Sequence, residues 1–91
     1  MELLGDAALA SALEGLDWEL EDGQLVKVVR RSGFSGALAY VGEVAGLAER
    51  AGHHPDVEIH WDTVTLRLST HSAGGITSAD IVLATGIDGL P

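Results

Sequence analysis

The sequence predicts an α+β fold: a four-stranded antiparallel sheet with three helices packed on one face, in the order α-β-β-α-β-β-α. Three observations lead there. Two stretches, Trp18 to Arg31 and Val57 to His71, each break at a turn signal and alternate apolar with polar residues on at least one side of it, the pattern of a half-buried hairpin. Between them, Ser32 to Gly52 carries apolar residues at helical spacing. Capped helical segments stand before the first hairpin and after the second. Hairpins alternating with helices favour two layers, with the helices on one side of the sheet. At 91 residues the chain is expected to be one domain, 1–91, with a single core.

Asp6 is placed to cap a first helix, whose Leu9 and Leu13 share a face and which stops near Gly15. Trp18-Glu19-Leu20-Glu21 alternates, Asp22-Gly23 tolerates the positive φ angles of a tight turn, and Gln24 to Arg31 returns. The run Leu25-Val26-Lys27-Val28-Val29 does not alternate, so its inner face stays undecided. Ser32 or Ser35 caps the central helix, where Phe34, Ala37, Leu38, Val41, Ala45 and Ala48 form an apolar stripe. A second stripe, Ser35, Ala39, Gly42 and Gly46, includes two glycines that cost about 1 kcal/mol each inside a helix. Close approach by a neighbouring element is the expected compensation. Gly52 ends this helix, and Pro55 keeps His54 extended. Val57, Ile59 and Trp61 then alternate with Glu58, His60 and Asp62, and Asp62-Thr63 turns. Val64, Leu66, Leu68 and Thr70 alternate with Thr65, Arg67, Ser69 and His71 on the way back. After a loop from Ser72 to Gly75, Thr77 and Asp80 make a capping box that opens the last helix. Ile76 and Ile81 form its hydrophobic staple, and Leu83, Ala84 and Ile87 face inward.

Composition narrows the function. A net charge of −9 with only five Lys and Arg argues against nucleic acid, which is bound through clustered cations. No apolar run reaches the roughly 20 residues of a membrane span. Met1 to Gly15 lacks the basic region of a signal peptide, and a cytoplasmic protein is expected. The absence of cysteine excludes a disulfide framework and thiolate-ligated zinc or iron–sulfur centres. All four histidines lie between Glu49 and Asp80. His53 and His54 sit on a helix-to-strand corner, and the second hairpin returns His71 beside them. Glu49, one helical turn before His53, and Asp80, opening the last helix, are each placed to orient a ring or hold its charge. Imidazole titrates near about 6.5, so one ring can serve as acid and another as base. Adjacent histidines suit a metal poorly, because consecutive side chains on extended backbone point apart; no metal is expected. His60 reads as a solvated edge residue and Trp61 as a core anchor.

Glu49, His53-His54-Pro55, Trp61, His71 and Asp80 also resemble, in residue type and interval, the signature of the pterin-4a-carbinolamine dehydratase family. The resemblance covers most of the chain from Trp18 to Asp88 and is diffuse before Phe34. It implies a hydro-lyase, a 4a-hydroxytetrahydrobiopterin dehydratase. Such an enzyme converts 4a-hydroxytetrahydropterin to quinonoid dihydropterin without cofactor or metal, recycling the product of aromatic amino-acid hydroxylases. His53 and His71 are then the acid–base pair, and His54 holds and polarises the pterin. Glu49 and Asp80 support the rings, while Trp61, Ser69 and Thr70 meet the substrate. Gly75, Ile76 and Thr77 also follow the family pattern. The resemblance further implies homodimers formed by sheet pairing, with tetramers through helices in some members. It brings a rival reading too: a non-catalytic protein-binding module, either a dimerisation cofactor of transcription factors or an assembly factor. Two positions depart from the family. Gly52 stands where an acidic or polar residue is expected, and Val57 where an aromatic is common.

Overall fold

The computed structural model describes residues 2–91; Met1, the first residue of the expected domain, lies outside the described residues. The elements are α1 (Asp6–Glu14), β1 (Glu19–Glu21), β2 (Gln24–Arg30), α2 (Gly33–Ala51), β3 (Asp56–His60), β4 (Thr63–Leu68), a 3-10 turn (His71–Ala73) and α3 (Ser78–Asp88). The strands form one antiparallel sheet in the order β1-β2-β4-β3. The α+β order expected from the sequence is the one observed. The hairpins do not sit side by side in chain order: β4 pairs with β2, leaving β1 and β3 as edges.

The register Leu25↔Leu68, Lys27↔Leu66 and Val29↔Val64 places these six side chains on one face of the sheet. Leu25, Val64, Leu66 and Leu68 are fully buried there. They share one core with Ala37, Tyr40, Val44 and Ala48 of α2 and Leu83, Ala84 and Ile87 of α3. Register therefore decides what alternation could not: Lys27 occupies an inward position of β2. Its ammonium donates to Asp88 at 2.8 Å and Asp17 at 3.2 Å and lies 6.0 Å from the centre of the Trp18 ring. Asp88 also accepts the Trp18 indole N–H and the Asp17 backbone N–H, each at 2.9 Å. A charge on the inner face is tolerated because it is paired and hydrogen-bonded. This cluster fastens the end of α3 to β2 and to the segment before β1.

Three local expectations change. First, α1 is preceded by Gly5 at its cap and begins at Asp6, which makes no side-chain cap bond. The chain is already tied down at Leu4, whose N–H donates to Ile76 O at 2.9 Å, so the helix starts directly after Gly5. Second, α2 buries Ala37, Tyr40, Val44 and Ala48, while Phe34 and Leu38 of the expected stripe are about half exposed. Helical periodicity allows either of two adjoining stripes, and packing against the sheet and α3 selects the one through Tyr40. Neither Gly42 nor Gly46 compensates by close backbone contact. A Cβ at Gly42 would meet nothing within 4 Å, and one at Gly46 would meet only the Arg50 side chain at 3.6 Å. Third, the second hairpin turns at Trp61-Asp62, because His60 pairs with Thr63 and leaves just these two residues for the turn. Trp61 takes φ 56° and is 69% exposed; it is not a core anchor. Among the described residues, no helix is long and apolar enough to cross a membrane.

Candidate active site

One end of the sheet gathers three segments that are distant in sequence. The Leu25↔Leu68 pairing sets the β1–β2 turn beside the residues that follow β4. The Asp56↔Arg67 pairing sets the His53–Pro55 corner beside the same residues. Gly52 makes the corner possible: at φ 63° it is the left-handed cap of α2, its N–H returning to Ala48 O and Glu49 O. The chain leaves α2 sharply and carries His53 back towards α3.

His53 Nε2 lies 2.6 Å from Asp80 Oδ1. Asp80 is fully buried, and its other oxygen accepts the Thr77 backbone N–H at 2.9 Å and the Thr70 hydroxyl at 2.7 Å. The Thr70 and Thr77 hydroxyls are themselves 2.7 Å apart. The capping box expected from the sequence is present, and its carboxylate also holds a histidine. His54 turns the other way. Its Nε2 is 2.6 Å from Glu49 Oε2, with both side chains largely exposed. The ring borders a small apolar cleft of about 130 Å³ between α2 and β3, floored by Val44, Ala48, Pro55 and Val57. His71 follows Thr70 and opens the 3-10 turn. It lines a cleft of about 350 Å³ with Asp22, Gly23, Gln24, Ser69 and Gly75, within the roughly 300–1,000 Å³ of small-molecule sites. Two larger clefts flank Lys27 and contain no histidine, so the chemistry favours the smaller one.

The structure thus brings His53, His54, His71, Glu49, Asp80, Ser69 and Thr70 to one end of the sheet. Trp61 stands at the opposite end of the β3–β4 hairpin, roughly 20 Å away at about 3.3 Å per residue. His60 pairs with Glu58 at 2.8 Å on the surface. Asp22, Gly23 and Gln24 were not among the sequence-derived site residues. Only a turn signal marked them, and nothing local tells which cleft a turn will border.

Residues 2–90 match the family described as pterin 4 alpha carbinolamine dehydratase. A Nocardia farcinica protein provisionally given the name pterin-4-alpha-carbinolamine dehydratase is 52% identical over 90 residues, covering 98% of this chain and 95% of the relative. The chain belongs to the pterin-4a-carbinolamine dehydratase family. A Haloarcula marismortui protein with the same provisional name is 43% identical over 89 residues, covering 98% of this chain and 96% of its own. Among solved structures, a transcriptional coactivator/pterin dehydratase from Brucella melitensis aligns with a TM-score of 0.87 at 28% identity, covering 93% of this chain and 94% of the other. A pterin dehydratase-like RuBisCO assembly factor of the alpha-carboxysome shares the fold, with a TM-score of 0.62 at 20% identity over 80% of this chain and 84% of the other. The two departures from the pterin-4a-carbinolamine dehydratase pattern have visible settings. Gly52 adopts the positive φ that glycine reaches most easily. Val57 is 42% exposed and leaves an aliphatic wall beside His54.

Proposed function

We propose that this chain dehydrates 4a-hydroxytetrahydropterin to quinonoid dihydropterin by histidine acid–base catalysis. The observation that carries the reading is the part-buried His53–Asp80 pair, 2.6 Å apart, with Thr70 hydrogen-bonded to Asp80 and His71 next to Thr70 in the chain. In the reaction the N5 lone pair forms the C4a=N5 bond as the C4a–O bond breaks. One imidazole delivers a proton to the departing oxygen and another receives the N5 proton, so that water leaves. Each such assistance contributes about 10²- to 10⁴-fold. His53 and His71 take these roles. His54, held by Glu49, holds and polarises the pterin, and Ser69 borders the His71 cleft. The reaction requires no cofactor or metal, and the reading is that of a cytoplasmic enzyme recycling tetrahydropterin.

The same reading includes a homodimer. Strand β3 is an edge with unpaired backbone groups, which favour pairing with another strand. Antiparallel β3–β3 pairing would set the turn of one copy beside the His53 corner of the other. That arrangement gives Trp61 a route to the substrate of the partner subunit.

The test is stopped-flow absorbance of carbinolamine loss. His53→Ala, His54→Ala and His71→Ala should each slow turnover at least about tenfold. Unchanged rates in all three variants would favour the rival, a non-catalytic protein-binding module on the same fold.

A further inference from the structure

We infer that Leu3 is a positioning residue for His71: by pairing with the Gly75–Thr77 segment and packing on Gly75, it fixes the loop that carries His71. The kinetic part of this inference rests on the dehydratase reading above; the clasp itself does not.

After β4 the chain makes a tight loop and doubles back. Thr70 N–H donates to Gly75 O at 2.8 Å, and Thr70 O accepts the Ala73 and Gly74 N–H groups, each at 3.0 Å. His71 opens the turn so enclosed, and Gly74 closes it at φ 78°. His71 is exposed, so the backbone of this loop places its ring, and packing does not. The returning segment, Gly75 to Thr77, is held on both edges. Gly75 O faces Thr70, while Ile76 O accepts the Leu4 N–H at 2.9 Å and Leu3 bridges Thr77 in antiparallel fashion. Gly75 shows how closely this N-terminal arm sits. Its φ lies outside the left-handed region, so the backbone does not demand glycine there. A Cβ at Gly75 would instead meet the Leu3 Cδ2 methyl at 3.0 Å, with no other non-neighbouring atom within 4 Å. That is well inside the usual carbon–carbon separation of about 3.5–4.0 Å, so glycine is what admits the Leu3 side chain onto the loop. Gly74 and Gly75 line the His71 cleft and Leu3 does not; the leucine acts on the wall from outside the substrate space. Leu4 packs against the core and anchors the arm. Leu3 is 53% exposed, so shortening it leaves the core intact.

The test is a double-mutant cycle of Leu3→Ala and Gly75→Ala, read by amide hydrogen exchange without substrate and by turnover. Leu3→Ala removes the contact, and Gly75→Ala pushes the leucine methyl off the loop. Exchange at Thr70 and Gly74, whose N–H groups close the loop, should speed up about tenfold in either variant, while Val44 and Ala48 in the core keep wild-type protection. In the same variants kcat should fall at least about threefold with KM held within about twofold, because a loosely held imidazole is misplaced for the transition state. Gly75→Ala should add nothing once Leu3 is alanine, since no other atom stands in the way of the new Cβ. Unchanged exchange at Thr70 and Gly74, or equal acceleration throughout the core, would overturn the inference. So would a Gly75→Ala effect that adds in full to that of Leu3→Ala, or faster exchange with unchanged turnover in an active enzyme. An inactive wild type whose exchange follows the cycle would instead sink the dehydratase reading and leave the clasp standing.

Discussion

Asp80 serves two partners at once. Its carboxylate closes the first turn of α3 through Thr77 and receives His53 on its other oxygen. A fully buried carboxylate needs such donors, because desolvation is costly unless each oxygen is hydrogen-bonded. Asp80→Asn keeps the volume but presents an amide with fewer acceptor sites. Chemical denaturation should show a loss of about 1–2 kcal/mol, the usual scale for a lost cap and an unsatisfied buried group. A variant as stable as the wild type would mean that the network adjusts freely. The capping half of this role was legible in the sequence, since Thr77 and Asp80 are three residues apart. The histidine half was not, because His53 lies 27 residues away and chain-local spacing does not report such a contact.

Helix α2 and strand β2 show how packing resolves a pattern that the element alone leaves open. In α2 the buried stripe runs through Tyr40, and the glycine stripe faces open space at Gly42. Gly42→Ala should therefore raise stability by about 0.5–1 kcal/mol, from helix propensity alone. If thermal melting instead shows a loss, together with a smaller mass in sedimentation, Gly42 packs against a second copy. In β2 the inward Lys27 makes a pH-dependent fastening with Asp88. Burial pushes the Asp88 carboxyl up, but the Lys27 ammonium and the N–H groups of Asp17 and Trp18 outweigh it and hold it below the usual carboxylate value. Burial likewise lowers Lys27, and its bonds to Asp88 and Asp17 outweigh that and raise it. A depressed carboxyl contributes fully above its unfolded value of about 3.9 and loses that contribution as pH falls through its folded value. A raised ammonium contributes fully below about 10.4 and loses it only as pH rises through the higher folded value. Stability should therefore decline in acid below about pH 4, and Asp88→Asn should flatten that decline in urea titrations across the range. An equally steep acid decline in Asp88→Asn would assign it to other carboxylates.

At the scale of the molecule, the sheet order β1-β2-β4-β3 sends the histidines to one end and Trp61 to the other. Trp61→Ala should leave the activity of a monomer within about twofold and raise KM only where sheet pairing has formed a dimer. Kinetics measured across the concentration range of dissociation would separate the two cases. Three helices and two hairpins could be read from residue order alone, because caps, turns and periodicity are set by backbone geometry within a few residues. The histidine set and its carboxylates could be named from the sequence for a similar reason: their residue types and intervals stand in one continuous stretch. What only the tertiary structure decided was the face α2 buries, the inward turn of Lys27, the exposure of Trp61 and the meeting of His53 with Asp80. Each of these depends on groups far apart in the chain, and the closing of the sheet against the helices determines which of them meet.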